Sequence, residues 1–163
     1  MDFGPFLLLA SLEGLVQAAV LSLTALGLCL VFGVMRIVNV AHGEFYMLGA
    51  VLAWWLTSLV DMHPAVGFGL AILVGPLCVG TLAFASERLI LKPLNYNPEA
   101  TIVATIGILY IIQQSVLIGF GPDARPVDAP FYFRIDFPWF GYSGYKLIVV
   151  LVAIVILLGT WYV

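Results

Sequence analysis

Long apolar runs dominate this sequence, and each is close to the length that a membrane-crossing helix needs. Hydrophobic residues make up 63% of the chain and charged residues 9%, with a mean hydropathy of +1.14. A soluble domain carries roughly 25% charged residues, whereas a spanning helix needs about 20 mainly apolar residues. The pattern predicts an all-α, polytopic transmembrane helix bundle of about five spans in one domain, residues 1–163. The predicted spans are residues 14–34, 45–60, 65–85, 101–120 and 146–163.

The long loop between the last two predicted spans is rich in glycine, proline and aromatic residues. Phe133, Ile135 and Phe137 alternate there with Arg134 and Asp136. This period of two, bounded by prolines, predicts a short strand or hairpin lying on the membrane surface.

Basic residues in the short loops predict the orientation of the chain. Arg36 lies between the first and second predicted spans, and residues 61–64 hold no Lys or Arg. Arg88 and Lys92 lie between the third and fourth spans. The positive-inside rule therefore places the loops with Arg36 and Arg88 in the cytoplasm, and the long loop outside. Glu87, Arg88 and Lys92 are most simply a solvated cytoplasmic loop, and the alternative is a docking surface for a cytoplasmic partner.

Two features inside the spans bear on helix packing. Small and polar residues recur at helical spacing on the first span, at Gly14, Gln17, Thr24 and Gly27. Such a face favours close helix contact in lipid, and the alternative is that Gln17 and Thr24 line a path. In the third span, Pro76 removes a backbone hydrogen bond, so we expect a kink there.

A polar segment, residues 34–50, lies between the first two apolar runs. It holds four polar or ionisable side chains, which are Arg36, Asn39, His42 and Glu44. Ionised groups inside a bilayer cost about a few kcal/mol each, so they usually face a cavity, a partner or the membrane surface. We therefore expect the polar side chains of this segment to face a cavity, a partner or the membrane surface.

Two interpretations of that segment stay open. In the structural one, Asn39 caps a helix start and Glu44 offsets the positive end of the helix dipole. In the functional one, residues 39–44 form a break between two helices, which Gly43 permits, and free amides at the new N-terminus hold a carboxylate. Glu44 then pairs with Arg36 or His42, or turns toward the ammonium group of a zwitterion.

The sequence lacks the motifs for metal binding, nucleophilic catalysis and ATP hydrolysis. His42 and Glu44 have no second His or Cys placed to help, so no metal site is predicted. Neither a G-x-S-x-G nucleophile motif nor a P-loop occurs, so we predict no catalytic residue and no cofactor on this chain. Cys29 and Cys78 lie in apolar runs and are expected to be buried small hydrophobes.

A family resemblance is carried by residues 14–50, read GLVQAAVLSLTALGLCLVFGVMRIVNVAHGEFYMLGA, and by ERLILKPL at residues 87–94. These runs resemble the inner-membrane permease of bacterial ABC importers for branched-chain amino acids. They are more similar to the H-type permease of that system than to its M-type partner. The resemblance covers essentially the whole chain.

The resemblance implies a permease subunit that forms part of the translocation path for leucine, isoleucine and valine. The implied partners are a second permease subunit, two ATPase subunits that use ATP, and an extracytoplasmic substrate-binding protein. The implied location is the bacterial inner membrane. The candidate path residues are Gln17, Thr24, Asn39, His42, Gly43 and Glu44.

Family members are longer, with about eight spans and a cytoplasmic loop after the fifth that docks the ATPases. Because this sequence stops at Val163, it resembles an amino-terminal fragment or the product of a truncated gene. Two alternatives remain: a related permease for urea, short amides or other small solutes, and a truncated membrane fragment that transports nothing.

Overall fold

The computed structural model describes residues 3–59, 64–123, 129, 131, 133–136 and 138–162. Five α-helices and one short β-hairpin make up these residues, which confirms the predicted all-α fold. The helices are α1 (Phe3–Met35), α2 (His42–Leu59), α3 (Pro64–Ser86), α4 (Pro98–Phe120) and α5 (Gly144–Tyr162). A π-helical turn (Glu87–Leu91) follows α3, and the strands are β1 (Arg134–Asp136) and β2 (Gly141–Ser143).

Four helical segments in the described part of the chain are long and apolar enough to cross a membrane. They are Phe3–Val34, Ala65–Leu91, Pro98–Phe120 and Gly144–Tyr162. The remaining helix, α2, has 18 residues and begins with the polar pair His42 and Glu44. Three points stay predictions. They are that α2 is a fifth span, that the chain is one domain, and that the spans have the predicted bounds.

The first helix is longer than the first predicted span. It begins at Phe3, whereas the span was predicted from residue 14. Its sequence is mainly apolar, as is typical of a helix surrounded by lipid. Its few polar residues include Glu13, Gln17 and Thr24. Cys29 on α1 and Cys78 on α3 are exposed, so the expectation of buried cysteines is wrong for this chain.

Residues 28–128 form one compact unit. Within it, α2 packs against both α3 and α4. Its buried centre contains Ala41, Phe45 and Ile108. Partly buried apolar side chains surround this centre, from Val79, Ala83, Ile90, Leu109 and Ile112. The start of α2 is therefore held in the best-packed part of this unit.

Residues 1–27 and 129–163 form the other compact unit. Its buried centre is small and consists of Ala19 on α1 with Val150 and Ala153 on α5. The predicted hairpin is present: β1 and β2 pair antiparallel, with Ile135 opposite Tyr142. The strand β2 leads directly into α5, so the hairpin is fixed to the start of that helix.

The connection between α3 and α4 is shorter than predicted. The sequence indicated a polar loop over residues 86–100, but Glu87 and Arg88 lie on the π-helical turn that continues α3. The helical structure continues past α3 because Glu, Arg and Leu are good helix formers, and the charges of Glu and Arg do not prevent this. The loop is ended by Asn97, whose side chain accepts the N–H groups of Glu99 and Ala100 at the start of α4.

The third helix runs continuously through Pro76. A proline inside a helix leaves one carbonyl without its usual donor and bends most helices. The predicted kink near residues 72–76 stays a prediction.

Candidate functional site

A break of six residues, 36–41, separates α1 from α2. It lies three residues earlier than the predicted break over residues 39–44. At its start, Arg36 adopts a left-handed conformation with φ of 55°. Its N–H donates to the Phe32 carbonyl at 2.8 Å, which closes the last turn of α1. A non-glycine residue costs roughly 1–2 kcal/mol in this conformation, so the surrounding contacts must hold it.

Asn39 builds the turn that leads into α2. Its side-chain oxygen accepts the Ala41 N–H at 3.0 Å, and its carbonyl accepts the His42 N–H at 3.2 Å. The Asn39 side chain therefore satisfies a free amide, as the capping interpretation requires, but that amide belongs to Ala41, one residue before α2 begins. The next residue, Val40, donates its N–H to the Thr105 hydroxyl of α4 at 3.3 Å.

The N-terminus of α2 offers few free amides. The Glu44 and Phe45 N–H groups both donate to the Ala41 carbonyl, at 3.0 and 3.1 Å. Among the described residues, the Gly43 N–H has no acceptor. A Cβ added at Gly43 would meet no atom within 4 Å, so the surroundings of this residue are open. A carboxylate at this point would find one amide rather than the open row that the sequence suggested.

The carboxylate of Glu44 is incompletely paired. Its Oε2 atom is buried and has no hydrogen-bond partner among the described residues. No ion pair joins it to Arg36 or His42 in that part of the chain. The alternative expectation, that Glu44 turns toward the ammonium group of a zwitterion, stays a prediction. A buried acceptor without a donor costs about 1–3 kcal/mol. The geometry thus leaves room for a donor that comes from outside these residues.

Two threonines on α4 complete the surroundings, and sequence reasoning missed them. Thr101 and Thr105 are both fully buried, with 0% relative exposure. The Thr105 hydroxyl accepts a hydrogen bond from the Val40 N–H in the break. The Thr101 hydroxyl has no hydrogen-bond partner among the described residues. Their spacing of four in an apolar helix was the available signal, because such residues share one face and bond across helix contacts.

Comparison with known proteins adds evidence of a different kind. The family model described as "Branched-chain amino acid transport system / permease component" matches residues 10–163. The chain belongs to this permease family. Together with the four long apolar helices, membership makes it a multi-pass membrane protein.

Three curated relatives are similar to this permease chain. LivH of Methanocaldococcus jannaschii, a probable branched-chain amino acid transport permease, is 29% identical over 92% of this chain and 49% of its own length. LivH of Escherichia coli K12, a high-affinity permease of that class, is 28% identical over 75% of this chain and 41% of its own. The BraD permease of Pseudomonas aeruginosa is 26% identical over 65% and 36%. No solved structure matches the chain.

The chain spans at most about half the length of these curated relatives. The activity, substrate and partners of a whole permease are therefore matters for proposal.

Gln17 and Thr24 belong to the other compact unit of this permease chain. Gln17 is exposed on α1, and Thr24 is half-buried. The Thr24 hydroxyl donates to the Val20 carbonyl at 3.1 Å, a bond within its own helix. Their role in lining a path stays a prediction.

The three charged residues of the predicted cytoplasmic loop do not act alike. Glu87 accepts a hydrogen bond from the Tyr96 hydroxyl at 2.5 Å. This bond to the carboxylate raises the pKa of Tyr96 above its ordinary value. Arg88 and Lys92 are exposed. Among the described residues, no group of three or more His, Cys, Asp or Glu side chains is placed to hold a metal ion.

Proposed function

We propose that this chain forms part of the translocation path of an ATP-driven importer for branched-chain amino acids. The observation that carries the proposal is the polar break between α1 and α2, set in a chain that belongs to the permease family. Helix breaks of this kind in membrane proteins are tolerated where they are packed in protein or line a cavity. The names of the curated relatives support the choice of amino acids as the substrate class.

In this proposal, a zwitterionic amino acid passes the break in a defined orientation. Its carboxylate approaches the Gly43 N–H, which has no acceptor among the described residues. Its ammonium group approaches the buried Oε2 of Glu44 and supplies the donor that this oxygen lacks. Hydrogen bonds to charged groups are the stronger kind, so both contacts favour a zwitterion over a neutral solute.

The proposal also includes the partners of the chain. A second permease subunit completes the path, two ATPase subunits hydrolyse ATP, and an extracytoplasmic binding protein delivers the substrate. No cofactor is bound by this chain itself. The complex lies in a bacterial inner membrane, with the exposed Arg88 and Lys92 on the cytoplasmic side, where the ATPases dock.

The test is leucine uptake by the assembled transporter, divided by the amount of the chain in the membrane. Glu44→Gln keeps the shape of the side chain but removes its charge, and we expect uptake to fall by at least about tenfold. His42→Ala removes a ring donor at the first position of α2, and we expect a smaller fall.

Glu99→Gln is the matched control, because Glu99 is also in the first turn of a helix but is exposed. Uptake by this variant should equal that of the wild type. If uptake and abundance fall together in the Glu44 and His42 variants, the break is structural only. If both variants transport normally, the break is not part of the path. Uptake of urea or acetamide in place of leucine would favour the related solute permeases.

A further inference from the structure

A second polar cluster lies in the unit formed by residues 1–27 and 129–163. Lys146, in the first turn of α5, donates to Glu13 Oε1 on α1 at 2.5 Å. The side chains of Lys146 and Glu13 are 41% and 44% exposed. Neither residue belongs to the candidate path at the break between α1 and α2. A half-exposed ion pair contributes little stability, so a competing pair of charges can open it.

The hairpin adds a third group to this cluster. The Lys146 ammonium lies 5.5 Å from the ring centre of Tyr142 on β2. Tyr142 is only 3% exposed, and its hydroxyl has no hydrogen-bond partner among the described residues. Burial, and then the negative charge of Glu13 nearby, raise the pKa of Tyr142 above its ordinary value. A tyrosine hydroxyl is a hydrogen-bond donor, and this one lies beside the Glu13–Lys146 pair.

Apolar side chains lie one turn along from each charge. Val16 is three residues after Glu13 on α1, and Val150 is four residues after Lys146 on α5. Residues at these spacings share a helix face with the charged residue. Val150 is buried in the small core of this unit, and Val16 packs against that core. The cluster therefore combines one anion, one cation and one hydroxyl donor with aliphatic side chains one helical turn away.

We propose that Glu13, Lys146 and Tyr142 form a binding site for the zwitterionic head of an amino acid. The ammonium group of the ligand binds Glu13, its carboxylate binds Lys146, and the Tyr142 hydroxyl donates to that carboxylate. The ligand exchanges one ion pair for two and adds no net charge, which limits the cost of removing charges from water. The aliphatic side chain of the ligand lies toward Val16 and Val150.

This inference rests on the proposed function, because it requires an amino acid as the transported solute. It extends that function to the ends of α1 and α5 that lie near the hairpin. The predicted orientation places these ends on the extracytoplasmic side of the membrane. Urea and short amides carry no charges, so a transporter for them would gain nothing from this arrangement beyond stability.

The experiment measures leucine uptake and membrane abundance for the assembled transporter with three paired variants. Glu13→Gln with Lys146→Met removes both charges. Glu13→Lys with Lys146→Glu exchanges them and keeps an ion pair between α1 and α5. Arg134→Met with Asp136→Asn is the matched control, since it removes an exposed ion pair with an N–O distance of 3.0 Å from the same hairpin.

We expect the neutral pair to lower uptake per molecule at least about tenfold at normal abundance. The exchanged pair should restore abundance if it is reduced but should not restore uptake, because the charges then face the wrong ends of the ligand. The control pair should transport like the wild type.

Two results would overturn the inference while leaving the proposed function in place. One is normal uptake by the neutral pair. The other is a loss of abundance that the exchanged pair repairs together with uptake, which would make the ion pair a structural contact. A wild-type transporter that takes up no amino acid would instead end the proposed function, and the inference with it, before any variant is compared.

Discussion

Single residues decide how the hairpin meets α5. Gly144 is buried at the first position of that helix, and its N–H donates to the Phe133 carbonyl at 2.7 Å. A Cβ at this position would collide with the Phe133 ring and lie 3.0 Å from the Phe133 carbonyl oxygen. The absence of a side chain therefore allows the two segments to approach this closely.

Gly144→Ala should therefore destabilise the chain by about 1–3 kcal/mol, as overpacking does elsewhere. Gly159→Ala on the same helix is the matched control, because a Cβ there would meet no atom within 4 Å. Alanine is the better helix former, so the control should be neutral or more stable by up to about 1 kcal/mol. Unfolding in detergent micelles, followed by circular dichroism, measures both variants. Equal stability of the two variants would contradict the described contact.

The sequence predicted where polar side chains interrupt the apolar runs, but it did not predict the hydrogen bonds that these side chains make. Asn39 and Glu44 were identified because polar groups beside apolar runs are costly. Whether Glu44 pairs with Arg36 or His42 could not be predicted, because such a contact depends on side-chain positions that the local sequence pattern does not determine. Thr105 was missed because its partner, the Val40 amide, is 65 residues away in the chain.

At the level of helices and strands, local patterns predicted what exists but not where it ends. Alternation over residues 133–137 predicted a strand, and β1 is present at Arg134–Asp136. Its partner β2 has the sequence GYS, which carries no alternating pattern, so the position of the second strand of the hairpin could not be predicted. The π-helical turn was not predicted, because its charged residues were interpreted as part of a loop although Glu, Arg and Leu favour helix.

The whole molecule makes a prediction about sidedness. The exposed Trp139 in the hairpin loop and the exposed Glu99 at the start of α4 should face opposite sides of the membrane. With Cys29 and Cys78 replaced by alanine, Trp139→Cys should react with an impermeant thiol reagent added outside intact cells. Glu99→Cys should react only after the cells are opened. The reverse pattern would contradict the predicted orientation and, with it, the proposed side for ATPase docking.

The proposed translocation path runs past the break between α1 and α2, so a probe placed at this break tests the path directly. Gly43→Cys places a thiol there without a clash, since no atom lies within 4 Å of the added Cβ. Gly159→Cys provides a control site on α5 that is equally open. Both variants are made in the assembled transporter lacking Cys29 and Cys78.

The decisive measurement is the rate at which a small thiol reagent labels the Gly43→Cys variant, with and without saturating leucine, in a transporter that still takes leucine up. If the break lies on the path, leucine occupies the space beside the α2 N-terminus and slows labelling several-fold. Labelling of the Gly159→Cys variant should not change. Equal labelling rates with and without leucine at position 43 would contradict a translocation path through the break.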